Sequence, residues 1–237
     1  MEGCEGKSMC GRFTLVTNLE KWKERFQIEV IPFDAKPRYN IAPGQFIPAI
    51  IADRGERRMG QLRWGLVPSW AADEKSSYKM INARCETLNE KPAFKQLFAR
   101  KRCILPADSF YEWMNGITGK QPMRIMLNTG EPFAFAGLYD TWTNQEGEKV
   151  HTCTIVTTKA NELIESIHER MPVILKKDDE DLWLDREKYD RLQLQSLFTP
   201  YDSSEMMVYP VSTKVGSPKN DDPSCIQEVE IGSLFED

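Results

Sequence analysis

The chain has 237 residues, 41% of them hydrophobic and 10% aromatic, which is enough for one large core. No apolar run is long enough to cross a bilayer, and the opening MEGCEGKS lacks the apolar centre of a signal peptide, so we expect a cytoplasmic protein without membrane contact. The net charge is −5, but residues 202–237 hold eight acidic residues and two lysines, so residues 1–201 carry +1 and do not exclude a nucleic-acid partner.

The first third of the chain predicts two helices and a hairpin. Asn18, followed by Leu19, Trp22 and Phe26, predicts a capped amphipathic helix, and KPAFKQLFAR (91–100) predicts another. Between them, FIPAIIA and MGQLRW indicate two strands joined by the charged turn RGERR. The long irregular segment GLVPSWAADEKSSYK that follows favours a binding loop.

Short strands dominate the middle of the chain: RCILPA, SFYEWM, MRIML, PFAFAGLY and VHTCTIVT. Helical patterns return in ANELIESIH and from about 178 to 198, and MVYPVS predicts a late strand. Without βαβ alternation, this order predicts an α+β protein, a single domain whose central mixed, largely antiparallel β-sheet or small barrel is flanked by helices.

The cysteines and histidines exclude common metal and disulfide sites. The six cysteines are scattered without a CxxC pair, and there are only two histidines. We therefore predict reduced thiols, no metal and no cofactor.

Cys10 is the strongest candidate for chemistry, on the condition that it is N-terminal. An α-amine has an unperturbed pKa of about 7.7–8.0 and a thiol one of about 8.5, so both are partly reactive near neutral pH. The amine of a 1,2-aminothiol condenses with an aldehyde to an imine, and the thiol then closes a five-membered thiazolidine, which an internal cysteine cannot do. For Cys85, Cys103, Cys153 and Cys225 a buried structural thiol is the simpler interpretation.

Two extended segments carry further polar candidates. In INAR (81–84), Asn82 and Arg84 share one face, where an amide can orient an amine and a guanidinium can bind phosphate. A turn-capping Asn with a surface Arg is the alternative. In SFYEWM, Glu112 stands between two aromatic residues, where an apolar setting would raise its pKa for proton transfer. An edge-strand Glu that faces water is the alternative.

His168 is placed by the sequence at the end of the helix predicted for ANELIESIH, just before the Met-Pro pair at 171–172. Helix C-termini favour a cationic imidazole, so His168 is a candidate general acid or base. Arg170, two residues further on, is available for phosphate.

Eight motifs that occur in order resemble the SRAP family, the SOS response-associated peptidases, also called abasic-site processing proteins. The resemblance runs from Met9 to about Val215 and is carried by MCGRF (9–13), RYNIAPGQ (38–45), RWGLVPSW (63–70), INAR (81–84), ILPADSFYEW (104–113), AFAGLY (134–139), TIVTT (154–158) and IHERMPVIL (167–175).

The resemblance implies a single α+β domain that shields abasic sites in single-stranded DNA by covalent attachment, as part of the DNA damage response. We also expect the protein to be a monomer. In such proteins the initiator Met is removed, and the exposed Cys forms a thiazolidine with the ring-opened sugar. Here Cys10 would supply amine and thiol, and Asn82 would orient the amine or the sugar. Glu112 would be the acid/base that opens the deoxyribose, and His168 the acid/base for the Schiff base and for reversal.

The resemblance also implies a DNA-binding set. Arg12, Arg84 and Arg170 would bind backbone phosphates, and Pro43 and Trp70 would pack on bases beside the lesion. The protein would then associate with the nucleoid while it is bound to DNA.

The N-terminal extension departs from the family pattern, because residues 1–8 would leave the amine of Cys10 acylated. Three explanations remain: translation starts at Met9, the extension arises from cloning or a misread start, or the chain cuts itself before Cys10 by a thiol peptidase activity. We favour a start at Met9. We therefore expect residues 1–8 to be absent from the active form, and 9–237 to be an SRAP-like domain with an acidic tail from about 216.

Two other functions remain open. Glutamine amidohydrolases with an N-terminal nucleophile also begin with Met-Cys-Gly, although no accompanying glutamine-site pattern is found. A single-stranded DNA-binding module without covalent chemistry would use only the Arg and Trp side chains.

Overall fold

The computed structural model describes residues 10–230, apart from residues 54, 117, 118 and 188 and the side chain of Ser76. The extension 1–8 and the end of the acidic tail therefore lie outside the described residues. No helix in the described part of the chain is long and apolar enough to pass through a bilayer.

The described residues form strands β1 to β13 and helices α1 to α4, joined by turns and short 3₁₀ segments. The strands are β1 (Phe13–Leu15), β2 (Arg38–Ile41), β3 (Phe46–Asp53), β4 (Glu56–Trp64), β5 (Asn82–Arg84), β6 (Arg102–Ala107), β7 (Ser109–Gly116), β8 (Gly119–Leu127), β9 (Phe133–Thr143), β10 (Lys149–Lys159), β11 (Arg170–Pro172), β12 (Ile174–Leu175) and β13 (Met206–Pro210). The helices are α1 (Leu19–Phe26), α2 (Pro92–Arg100), α3 (Glu180–Leu184) and α4 (Arg191–Ser196).

Two sheets build the domain. One has the order β13-β8-β7-β1-β2 and is antiparallel. In the other, β10-β4-β3-β6-β9 close into a five-stranded barrel because β9 also pairs with β10. Strand β10 is parallel to β4 and β5 but antiparallel to β9 and β11. The predicted α+β class with a mixed, largely antiparallel sheet or small barrel is confirmed.

Aromatic packing joins the two sheets and fixes the start of the described chain. Phe13 of β1 lies 5.3 Å from the Trp64 ring and 5.8 Å from the Phe135 ring, measured between centroids. All three side chains are almost fully buried, and burying a side chain of this size contributes about 2 kcal/mol. Because Phe13 is anchored in this way, Cys10 is held three residues before it, at the edge of the core.

The predicted helices at 19–26 and 91–100 are confirmed, and the Asn18 side chain accepts a hydrogen bond from the Lys21 N–H at 3.0 Å as the cap of α1. The long helix predicted from 178 to 198 is wrong in extent, because it is divided into α3 and α4.

The helix predicted for ANELIESIH is wrong, because the segment 160–169 is a run of turns. Its two ends are paired, since Lys159 lies opposite Arg170 in the β10–β11 ladder. A helix over those nine residues would carry its ends about 12 Å apart, which the paired strands do not allow. The Asn161 side chain instead accepts from the Ile164 N–H at 3.1 Å and closes a local turn.

Candidate active site

Strand pairing brings Cys10 to Glu112. Phe13 lies opposite Phe110 in the β1–β7 ladder, so the antiparallel register continues to place the segment before β1 beside Glu112. The backbone N–H of Cys10 donates to Glu112 Oε1 at 2.8 Å. Cys10 is 3% exposed and Glu112 is 1% exposed. The alternative of an edge-strand Glu that faces water is wrong, because β7 lies between β1 and β8.

Burial sets the protonation of both groups. It raises the pKa of Glu112 from 4.5 to about 7, although N–H donors from Cys10 and Trp113 act in the opposite direction. Burial and the neighbouring Glu112 carboxylate raise the pKa of the Cys10 thiol well above its usual range. Near neutral pH, Glu112 therefore populates both protonation states beside a protonated thiol, which is the arrangement that proton transfer requires.

Asn82 approaches Cys10 from the other sheet. Strand β5 runs parallel to β10, with Asn82 opposite Ile155. The Asn82 side-chain amide Nδ2 donates to the Cys10 carbonyl oxygen at 3.5 Å, a long hydrogen bond. The two polar side chains predicted to flank a nucleophile therefore reach Cys10 from separate sheets.

A pocket of about 600 Å³ opens in front of Glu112 and is called the Glu112 pocket below; Cys10 and Asn82 are not among the residues that line it. Its lining includes Gly11, Arg12, Glu112, Trp113, Lys120, His168 and Gly216.

His168 reaches this pocket from the 160–169 turn rather than from the end of a helix, so the predicted helix-terminus effect does not apply to it. Its Nδ1 accepts from the Arg170 N–H at 3.1 Å. Its Nε2 is buried and has no hydrogen-bond partner among the described residues, so the hydrogen-bonding capacity of this nitrogen is unfilled.

Arg12 is held in place by groups that sequence reasoning did not identify. Its Nη1 donates to Asn40 Oδ1 at 2.9 Å and to the Val215 carbonyl, and its Nη2 donates to the Gly216 carbonyl at 3.0 Å. The guanidinium also lies 6.0 Å from the centre of the Trp113 ring. Asn40 belongs to the motif RYNIAPGQ, and Trp113 follows Glu112, so both had a signal in the sequence.

The other predicted DNA-binding arginines flank the end of β10. Arg84 is exposed, and no acidic side chain among the described residues pairs with it. Arg170 is 8% exposed and forms a two-point ion pair with Glu86 at 2.6 and 3.0 Å. A phosphate would reach Arg170 only by displacing Glu86 or by binding beside it.

The two residues predicted to pack on bases lie outside the Glu112 pocket. Pro43 lines a small cavity of about 70 Å³. Trp70 projects from the loop between β4 and β5 and is 68% exposed.

The remaining cysteines and the possible metal ligands add no second centre in the described part of the chain. Cys85, Cys103, Cys153 and Cys225 are buried free thiols. Among the described residues, no group of three or more His, Cys, Asp or Glu side chains is arranged to hold a metal ion.

A family model described as SOS response associated peptidase (SRAP) matches residues 9–218. The chain belongs to the SRAP family. The eight ordered motifs, which predicted this membership, fall within the matched residues.

SRAP relatives with curated names span most of the chain. It is 52% identical over 222 residues to "Abasic site processing protein YoqW" of Bacillus subtilis, covering 92% of this chain and 99% of that protein. It is 34% identical over 229 residues to "Abasic site processing protein HMCES" of Gallus gallus, covering 83% of this chain and 68% of that protein.

A solved structure agrees with the fold. A crystal structure of a protein from Bacteroides thetaiotaomicron superposes with a TM-score of 0.80 at 27% identity, covering 93% of this chain and 100% of that one. The barrel and its companion sheet are therefore shared with a protein of low sequence identity.

Proposed function

We propose that this protein senses abasic sites in single-stranded DNA and, as a monomer, becomes covalently attached to them through Cys10. The observation that carries the proposal is the 2.8 Å contact of the Cys10 nitrogen with buried Glu112, at a pocket that Arg12 and His168 also line. The curated name of the YoqW relative, an abasic site processing protein, supports it.

The chemistry needs Cys10 as the first residue. Its free amine adds to the C1′ aldehyde of the ring-opened deoxyribose, and loss of water gives an imine. The thiol sulfur then bonds to the same carbon while its proton passes to the imine nitrogen, which closes the thiazolidine with a net loss of one water. Glu112 accepts and returns protons beside the nitrogen, Asn82 orients Cys10, and His168 Nε2 serves as acid/base on the Schiff base and in reversal.

Recognition follows from what an abasic nucleotide lacks. It has no base to unstack, and its sugar presents an aldehyde that intact DNA does not offer. Arg12, Arg84 and Arg170 would bind the phosphates on either side, while Pro43 and Trp70 would contact neighbouring bases. Stacking tolerates any sequence, which suits a protein that must find lesions anywhere.

One experiment separates this proposal from its alternatives. Protein that starts at Cys10 is incubated with an abasic oligonucleotide and examined on a denaturing gel and by intact mass. We expect a product whose mass is the sum of protein and DNA less one water. A glutamine amidohydrolase would release ammonia from glutamine instead, and a non-covalent module would leave no product on the gel.

Arg84 offers a direct test of phosphate binding. Because it is exposed and unpaired among the described residues, Arg84→Ala should leave the melting temperature unchanged. The binding constant for single-stranded DNA falls as salt rises, and Arg84→Ala should make the slope of log K against log salt less steep by about 0.7, the value for one phosphate contact. Arg100→Ala, at the exposed end of α2, is the matched control. An unchanged slope in Arg84→Ala removes this residue from the phosphate-binding set.

A further inference from the structure

Trp70, whose indole is exposed, lies in a turn whose backbone forms hydrogen bonds with buried side chains on both sides of it. Ala71 N–H donates to the Pro68 carbonyl at 2.9 Å, which closes the Trp70 turn (68–71). The N–H of Ser69, just before Trp70, donates to Asp140 Oδ2 at 2.7 Å. The carbonyl of Ala71, just after it, accepts from the Trp142 indole N–H at 2.7 Å.

Both residues that form hydrogen bonds with the turn belong to a strand of the barrel. Asp140 and Trp142 are alternate residues of β9, so they face the same side of the strand, and they are 3% and 7% exposed. The other Asp140 oxygen accepts from Lys101 Nζ at 2.6 Å and from the Thr141 N–H at 2.8 Å, which fixes the carboxylate.

These hydrogen bonds involve only the backbone of the turn. Trp70 itself remains 68% exposed, although a side chain of this size is more often largely buried. The turn belongs to the loop of residues 65–81, in which regular structure is limited to a 3₁₀ segment at Glu74–Lys79. Hydrogen bonds with two buried side chains therefore fix the backbone on either side of Trp70. The rest of this loop is largely irregular.

We propose that Asp140 and Trp142 are positioning residues that hold Trp70 ready to stack on a nucleobase of the bound strand. The inference rests on the proposed function, because it requires single-stranded DNA at Trp70. A ring presented from a fixed backbone loses less conformational freedom on binding, so affinity rises without a new contact. Stacking on any base makes this gain independent of sequence.

The test measures non-covalent affinity. The ligand is a single strand with a tetrahydrofuran abasic analogue, which has no aldehyde and cannot crosslink, and binding is followed by fluorescence anisotropy. Trp142→Phe keeps an aromatic side chain but removes the indole N–H donor, and Asp140→Ala removes the acceptor of the Ser69 N–H. We expect each to weaken binding about 3- to 10-fold and to speed hydrogen exchange in the Trp70 turn.

Trp183→Phe is the matched control, since this fully buried indole also donates to a backbone carbonyl, that of Cys103 at 2.9 Å. It should leave affinity and exchange in the turn unchanged. The decisive measurement is a double-mutant cycle: in a Trp70→Ala background, Trp142→Phe should have no further effect on affinity, whereas a general loss of structure would weaken both backgrounds equally.

Three results would overturn the inference: equal weakening by Trp142→Phe in both backgrounds, faster exchange in the turn without weaker binding, or unchanged affinity in Trp70→Ala. Asp140→Ala provides the same readouts if Trp142→Phe does not fold. Failure of the proposed function is distinguishable, because it shows as no denaturation-resistant product between the wild type and natural abasic DNA while the coupling between Trp70 and Trp142 persists.

Discussion

Protein that begins at Cys10 is expected to form a heat-resistant adduct with abasic single-stranded DNA, and protein that retains residues 1–9 is expected to form none. The difference is the chemical state of the Cys10 nitrogen. In the longer chain the Cys10 nitrogen is an amide, whose lone pair is delocalised into the carbonyl, so it cannot add to an aldehyde. As an N-terminal amine, the same nitrogen would lie beside Glu112, the group that can remove its proton.

The backbone at Cys10 is strained in the longer chain. Cys10 has a φ of 27°, in the left-handed region, where a side chain with a β-carbon is disfavoured by about 1–2 kcal/mol. That torsion exists only while a peptide bond precedes Cys10. Its loss would remove the strain and leave the contact between the nitrogen and Glu112 in place.

Two forms of the chain and one variant complete this test. Cys10→Ser, also started at residue 10, keeps the amine but has no thiol to close the ring. It should give a product only when borohydride reduces the imine, while the Cys10 form should give it without a reductant. Equal crosslinking by the extended and shortened chains would contradict the thiazolidine mechanism.

The fold was largely predictable where local pattern decides structure. Strand β9 begins with the apolar run FAFAGLY, β10 is rich in the β-branched residues Val, Ile and Thr, and Asn18 marks the start of α1. The prediction failed at 160–169, where the amphipathic spacing favours a helix but the pairing of Lys159 with Arg170 forces the chain to return. Such a constraint arises from strand pairing and is not visible in a helical pattern.

The site was less accessible to sequence reasoning, because its contacts span long distances in the chain. Cys10 and Glu112 are 102 residues apart, and Arg12 and Gly216 are 204 residues apart. Motif order suggested which residues matter, but not that Asn40 and the 215–216 carbonyls hold Arg12, or that Glu86 pairs with Arg170. Those partners depend on how the sheets meet.

Glu112→Gln is expected to slow crosslinking roughly 100-fold while DNA binding is kept, as general acid/base catalysis contributes about 10²–10⁴-fold. The ionised carboxylate accepts the proton of the attacking amine, so the wild-type rate should rise with pH as Glu112 ionises. An N-terminal ammonium at Cys10 would lie beside this carboxylate and hold its pKa below the value of about 7 that it has beside the Cys10 amide. The variant should retain only the rise caused by the N-terminal amine. The measurement is the single-turnover crosslinking rate from pH 5 to 9.

Glu112→Gln should also change how the free energy of unfolding depends on pH. The sign of this change follows from the number of protons bound by the folded and unfolded states. Because burial raises the pKa of Glu112 from 4.5 to about 7, the folded wild type binds more protons than the unfolded chain between these values. Its free energy of unfolding therefore falls as pH rises through this window, by up to about 3 kcal/mol. Gln has no charge to bury, so the variant should gain stability relative to the wild type from pH 4.5 to 7.

Glu165→Gln is the control, since Glu165 lines the same pocket but is exposed. It should change neither profile, because an exposed carboxylate remains solvated in the folded protein. If Glu112→Gln kept the wild-type inflections in both the rate profile and the stability profile, those titrations would belong to another group. A loss of binding alone, with the rate on bound DNA unchanged, would make Glu112 a structural residue that holds Cys10 in place rather than the group that moves its proton.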